Sequence, residues 1–149
     1  MTLSEQIKED INEALKSGET LKLEVLRGLL AAVHNREIEL RGKETELNEE
    51  EVIAVLGREA KKRREANQIY ADAGRNDLAS KELEELTVIK NYLPPEMDRA
   101  EIEAIVRKVV DGGVTDFGRV MGVVMQEVKG RAEAGEVKEI VERILGNNK

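Results

Sequence analysis

Residues Phe117 to Leu145 read FGRVMGVVMQEVKGRAEAGEVKEIVERIL, and the spacing of their apolar residues decides the fold. Phe117, Val120, Met121, Val124 and Val128 recur at intervals of three and four, as do Val137, Ile140, Val141, Ile144 and Leu145. Each set lays an apolar stripe along one helix. Between the stripes stands Lys129-Gly130-Arg131-Ala132, where glycine can stop the first helix by taking the left-handed conformation. Two helices meeting there would bring backbone N–H groups and cationic side chains to one corner, an arrangement that binds phosphate. An arginine fork at that corner could grip a phosphate at two points. The competing reading is a helix-terminating glycine with a lysine that complements the helix dipole.

The same periodicity runs upstream. Thr2 with Glu5 forms a capping signature, followed by Leu3, Ile7, Ile11 and Leu15 on one face, with Gly18 as the stop. A second helix is expected from Thr20 to Leu40, apolar around much of its surface and hence central. Arg41-Gly42-Lys43 breaks it. Asn48 with Glu51 opens a third helix carrying Val52, Val55, Leu56 and Ile69, and Gly74 to Asp77 form a turn. Leu78, Leu83, Leu86 and Ile89 mark a fourth, which must end by Leu93 because the residue before a proline is pushed out of the helical region. Pro94-Pro95, which are the chain's only prolines, mark the boundary between residues 1–93 and 96–149. Asp98 with Glu101 caps a fifth helix bearing Ile102, Ile105, Val106 and Val109, closed by Gly112-Gly113. The expected fold is all-α: about four helices, then a three-helix bundle. Gly118 and Gly122 share a face of the sixth helix and would let a neighbouring backbone come close.

Composition agrees with a helical chain. Of 149 residues 37% are charged and only 2% aromatic, so the core must be aliphatic. The formal net charge is −7, and neither half is basic, which argues against nucleic-acid binding driven by total charge. A local basic site remains open. Cysteine is absent, which excludes disulfides and thiolate chemistry. With no signal peptide or membrane span read in the sequence, a soluble cytoplasmic protein is the default expectation.

The motifs that could carry chemistry are few. Gly113 and Gly118 have P-loop spacing, but Arg119 and Val120 follow where lysine and a hydroxyl residue are needed, so nucleotide binding is rejected. His34 is the sole histidine, with Glu37 three residues on, too little for a metal site. Ser4, Ser17 and Ser80 lack an adjacent base. No cofactor, metal or catalytic constellation is expected. Arg58, Lys61, Lys62, Arg63 and Arg64 form the densest basic run. Arg58, Lys61 and Lys62 share a helix face while Arg63 points elsewhere. That face is either a solvated surface with local ion pairs or an RNA backbone contact.

Three segments together resemble the GatB/YqeY family, specifically its stand-alone YqeY-like members: LRGLLAAVHNREIELR (Leu26 to Arg41), NYLPPEM (Asn91 to Met97) and GRVMGVVMQEVKGRAEA (Gly118 to Ala134). The resemblance spans nearly the whole chain. It implies a C-terminal domain similar to the tail of the B subunit of the glutamine-dependent tRNA amidotransferase. That tail helps to hold tRNA and carries no amidase or kinase chemistry. The family's glycine-cation-valine-methionine element falls on Gly118, Arg119, Val120 and Met121; its lysine-glycine-arginine-alanine element falls on Lys129, Gly130, Arg131 and Ala132. Glu133 departs from the usual aspartate. The large catalytic portion of the amidotransferase subunit is missing, so a carbon–nitrogen ligase activity would describe a complex rather than this polypeptide.

The expectation is therefore a tRNA-binding accessory protein that reads RNA backbone and shape. Lys129, Gly130 and Arg131 are the primary contacts, with Arg119, Arg58, Lys61 and Lys62 as secondary ones. Other expected partners are the amidotransferase or other translation proteins, and no membrane. The alternative is a helical protein–protein adaptor that docks a partner on the glycine-marked helix face.

Overall fold

The computed structural model describes residues 1–41, 46–128 and 131–147, in which every regular element is an α-helix. These are α1 (Leu3–Ser17), α2 (Thr20–Arg41), α3 (Glu49–Asp72), α4 (Asn76–Lys90), α5 (Arg99–Asp111), α6 (Phe117–Val128) and α7 (Ala134–Asn147). They form two compact units, Met1–Leu93 and Pro94–Lys149.

Local chemistry sets the helix ends. Thr2 and Glu5 close a reciprocal capping box on α1, and Asn48 and Glu51 do the same on α3. Gly18 and Gly74 take φ of 74° and 75°, the left-handed region where a side chain is strained. α4 ends at Lys90 rather than running to Leu93. The N–H groups of Asn91, Tyr92 and Leu93 instead reach back three residues to Val88, Ile89 and Lys90, a tightened turn ahead of Pro94. The Gly42-Lys43 break lies outside the described residues.

In the first unit, Ile7 of α1 packs with Val25, Leu26, Leu29 and Val33 of α2. Val52, Val55, Leu56 and Ala60 of α3 and Leu86 and Ile89 of α4 close the core. Each such aliphatic side chain contributes about 1.5–3 kcal/mol before ordering entropy is subtracted. Leu15, expected in the α1 stripe, is 58% exposed, and Ala14 is buried in its place. Steps of four residues overshoot the helical repeat by about 40° each, so the line Leu3–Ile7–Ile11 rotates off the core before it reaches Leu15.

Ile69 and Leu83 also sit outside the core, at 66% and 49% exposure. The core residues of α3 stop at Ala60 and those of α4 resume at Leu86. Polar links tie the two helices between those points. Asn67 Nδ2 donates to the Ala79 carbonyl at 2.8 Å. Arg63 Nε lies 3.2 Å from Glu85 and 3.9 Å from Glu82, all three side chains largely buried. Elsewhere in this unit the Tyr92 hydroxyl donates to Asp10 at 2.5 Å, fixing the end of α4 to α1. Burial and the Asp10 carboxylate hold that phenol well above its ordinary pKa.

In the second unit Ile102, Val106 and Val110 of α5 meet Val120, Val124 and Val128 of α6 and Val137, Ile140, Val141 and Ile144 of α7. Across α5 and α7, Arg99 Nη2 donates to Glu139 at 2.9 Å, and Arg143 pairs with Glu103. These two links have the same sequence offset, so α5 and α7 run parallel, with α6 between them in the chain.

Two carboxylates facing one guanidinium make the α3–α4 clasp sensitive to pH. Burial, and then the Glu85 charge, raise the Glu82 carboxyl above its ordinary value of 4.5. The folded state therefore holds a proton that the unfolded chain releases, so this contribution is full below about 4.5 and is lost as pH rises through the raised value. Denaturant unfolding at several pH values should show Glu82→Gln gaining on the wild type between acidic and neutral pH. A stability difference that stays constant with pH would rule this out.

Candidate functional site

Arg131 lies just past α6 and is tied into its own unit. Its N–H donates to the Val128 carbonyl and its carbonyl accepts from Met97 N–H, both at 2.8 Å. Its Nε donates to the Pro95 carbonyl at 2.8 Å, and Nη2 lies 3.7 Å from Glu101 Oε2, with 37% of the side chain exposed. Arg131 thus clasps the segment leading into α5 against the α6–α7 corner. The same contact accounts for the incomplete cap on α5. Asp98 accepts from Glu101 N–H at 2.8 Å, but the Glu101 carboxylate reaches toward Arg131 instead of back to the cap. A phosphate at this corner would have to compete with Pro95 and Glu101 for the guanidinium. Lys129 and Gly130, the other members of the expected corner, lie outside the described residues.

Arg119 is placed differently. It is exposed on the first turn of α6, and its guanidinium has no ion-pair partner among the described residues. Arg99, Arg131 and Arg143 of the same unit are engaged with carboxylates, whereas Arg107 on α5 is exposed and, like Arg119, has no ion-pair partner among the described residues. The start of α6 is no open anion cradle, because the Asp116 carboxylate accepts from Arg119 N–H at 3.2 Å. The Gly113–Gly118 stretch is helix punctuation: Gly113 takes φ of 101°, and Asp116 caps α6.

The spacing of Gly118 and Gly122 would let a neighbouring backbone come close, and both are exposed. A Cβ at Gly122 would meet nothing within 4 Å, and one at Gly118 only the Asp116 carboxylate at 3.5 Å. The valines at 120, 124 and 128 already face the core, so the glycines, spaced between them, turn outward. Beside them Phe117 and Val123 stay 38% and 40% exposed. The outer surface of α6 thus carries two glycines without side-chain bulk, the exposed Phe117 and Val123, and the Arg119 guanidinium.

The basic run on α3 is divided. Arg63 turns inward to α4. Lys62 pairs with Glu59 at 2.9 Å, and Lys61 approaches Glu65 at 4.0 Å. Arg58 is exposed with no ion-pair partner among the described residues. Arg58 and Lys62, but not Lys61, line a cleft of about 260 Å³ together with Asn35 and Arg36 of α2. Sequence reasoning missed those two α2 residues, because no local pattern says which turn of α2 lies against which turn of α3. His34 and Glu37 line a separate hollow of about 520 Å³ with Lys8 and Arg27. Among the described residues no three of His, Cys, Asp and Glu gather as a metal-binding set. No helix among them is long and apolar enough to cross a membrane.

Fold and surface together define an all-helical protein of two small bundles. The chain belongs to the Yqey-like protein family, whose pattern matches residues 4–145. It is similar to the protein named "Altered inheritance of mitochondria protein 41, mitochondrial" from three yeasts. With that of Lachancea thermotolerans it is 30% identical over 106 residues, 70% of this chain and 56% of the relative. With that of Vanderwaltozyma polyspora the identity is 29% over 107 residues, 70% of this chain and 57% of the relative. With that of Saccharomyces cerevisiae it is 26% over 129 residues, 85% and 68% of the two chains. The matched region thus spans little more than half the length of the first two relatives. The cytoplasmic expectation is corrected by these names: the relatives are called mitochondrial, which points away from it.

The Arg131 clasp has a measurable consequence. Arg131→Gln should lower the unfolding free energy of the second unit by about 1 kcal/mol, the net contribution of a half-exposed charge-assisted bond. Urea unfolding of the full chain measures this. Unchanged stability would show the guanidinium is not held by Pro95.

Proposed function

We propose that this chain is a tRNA-binding accessory protein related to the tail domain of the glutamine-dependent amidotransferase. It reads RNA backbone and shape along the outer face of α6 and has no reaction centre of its own. The observation that carries this reading is the outward face of Gly118 and Gly122 beside the uncommitted Arg119. Gly122, where a Cβ would meet nothing within 4 Å, and Gly118, where it would meet only the Asp116 carboxylate, leave room for a foreign backbone to approach the helix closely. A guanidinium at the edge of that surface supplies the fork for a phosphate. α6 has 12 residues, a contact line of about 18 Å at 1.5 Å per residue. Phe117 is the only aromatic residue beyond Tyr92, so stacking on splayed bases contributes little. Phosphate and sugar contacts must dominate, as in recognition of RNA by shape. The acidity of the rest of the chain, net −7, repels RNA elsewhere and favours one docking face. The names of the relatives make a mitochondrial tRNA the first ligand to test.

A protein-docking role for the same face is the second reading, favoured by the exposed Phe117 and Val123. Salt separates the two. RNA binding through phosphates weakens steeply with salt, and Arg119→Gln should reduce the slope of log K against log salt by about 0.7–0.9. Gly122→Ala gives a sharper contrast. In an exposed helix it should raise stability by about 0.8–1 kcal/mol, and yet it should weaken tRNA binding because the added methyl holds the RNA backbone off. Binding unchanged by both substitutions would exclude the α6 face as the RNA contact.

A further inference from the structure

The first unit carries a net charge of −5 over residues 1–94, yet one cleft in it has the opposite balance. Between α2 and α3, Arg36, Arg58 and Lys62 meet Glu39 and Glu59 around a hollow of about 260 Å³, with the Asn35 amide on its wall and Ala32 and Val55 also lining it. Two of the cations have local carboxylate partners: Arg36 Nη1 bonds Glu39 at 3.0 Å and Lys62 bonds Glu59 at 2.9 Å. Arg58 has none among the described residues. The cleft therefore keeps one whole positive charge, on the side chain best shaped to hold a tetrahedral oxyanion.

We propose that this cleft is a phosphate seat, in which Arg58 grips one phosphate group and Arg36, Asn35 and Lys62 flank it. Pockets that enclose a whole small-molecule ligand run from about 300 to 1,000 Å³. This one is smaller and open, so it takes a single group projecting from something larger. A nucleic-acid backbone phosphate fits that description, and so does the terminal phosphate of a free ester. The side chains that face the cleft come from both helices, so an anion bound there bridges α2 to α3 and adds a link that the apolar core does not provide. The identity of the longer chain as RNA rests on the function proposed above; the seat itself does not.

Two probes on the full chain separate these. Arginine Nε–Hε resonances are followed by NMR during titration with inorganic pyrophosphate. Binding of tRNA is measured across a salt series for wild type, Arg58→Gln, Arg36→Gln and Arg119→Gln. Arg58 is exposed and without a structural partner among the described residues, so its replacement leaves the fold intact. The expected result is a shift of the Arg58 and Arg36 resonances with pyrophosphate, and a loss of pyrophosphate affinity of roughly tenfold in Arg58→Gln, the size of one charge-assisted contact. With tRNA, Arg58→Gln should lower the salt slope by about 0.7–0.9, independently of Arg119→Gln. If pyrophosphate moves these resonances while tRNA fails to bind at all, the seat stands as a site for free phosphate esters and the RNA function falls. If tRNA binds and responds to Arg119→Gln, while Arg58→Gln changes nothing and pyrophosphate leaves both arginines unmoved, the seat is overturned and the α6 reading survives.

Discussion

Both units of this molecule are built around cores of short aliphatic side chains, and that constraint shapes everything at their surfaces. The described core residues are all Val, Ile, Leu and Ala, with no buried polar or charged group among them. Polar links at the helix edges supplement these cores. Arg63 to Glu82 and Glu85, Tyr92 to Asp10, Arg99 to Glu139, and Arg131 to Pro95 are links of this kind. They determine which cations remain available to a partner.

That sorting gives the surface its meaning. An exposed arginine is not by itself a binding residue, since a carboxylate partner can engage it, as at Arg75 and Arg143. Among the described residues Arg27, Arg58, Arg107 and Arg119 have none, unlike Arg99, Arg131 and Arg143, and Arg58 and Arg119 are set apart by their surroundings. Each lies beside a feature that admits something from outside: the outward glycines of α6 and the cleft between α2 and α3. Each unit thus presents one candidate phosphate contact, built by different means. On α6 it is the two outward glycines that open the surface, and in the cleft it is convergence of side chains from two helices.

Much of the architecture could be read from local pattern. The signatures at Thr2 with Glu5 and Asn48 with Glu51 place two helix starts, because a cap depends only on residues three apart. Gly18 and Gly74 mark their turns for the same reason. Local pattern failed where a property depends on what packs against a helix. Leu15, Ile69 and Leu83 match an apolar period but lie beyond the reach of the core. Gly118 and Gly122 have the spacing of a close approach, and spacing alone does not say that they face outward. At the site, the sequence placed Arg131 among the primary contacts and Arg119 among the secondary ones, on local spacing alone. The Pro95 carbonyl that engages Arg131 is 36 residues away, and no spacing rule anticipates it.

The central claim is that the outer surface of α6 meets an RNA backbone. Backbone amide chemical shifts of the labelled protein, recorded with and without tRNA, test it most directly. The largest changes are expected to cluster on Gly118, Arg119, Gly122 and Val123, while the Arg99–Glu139 side of the same bundle stays quiet. Changes confined to that ion-paired side, or no change anywhere on α6, would contradict it.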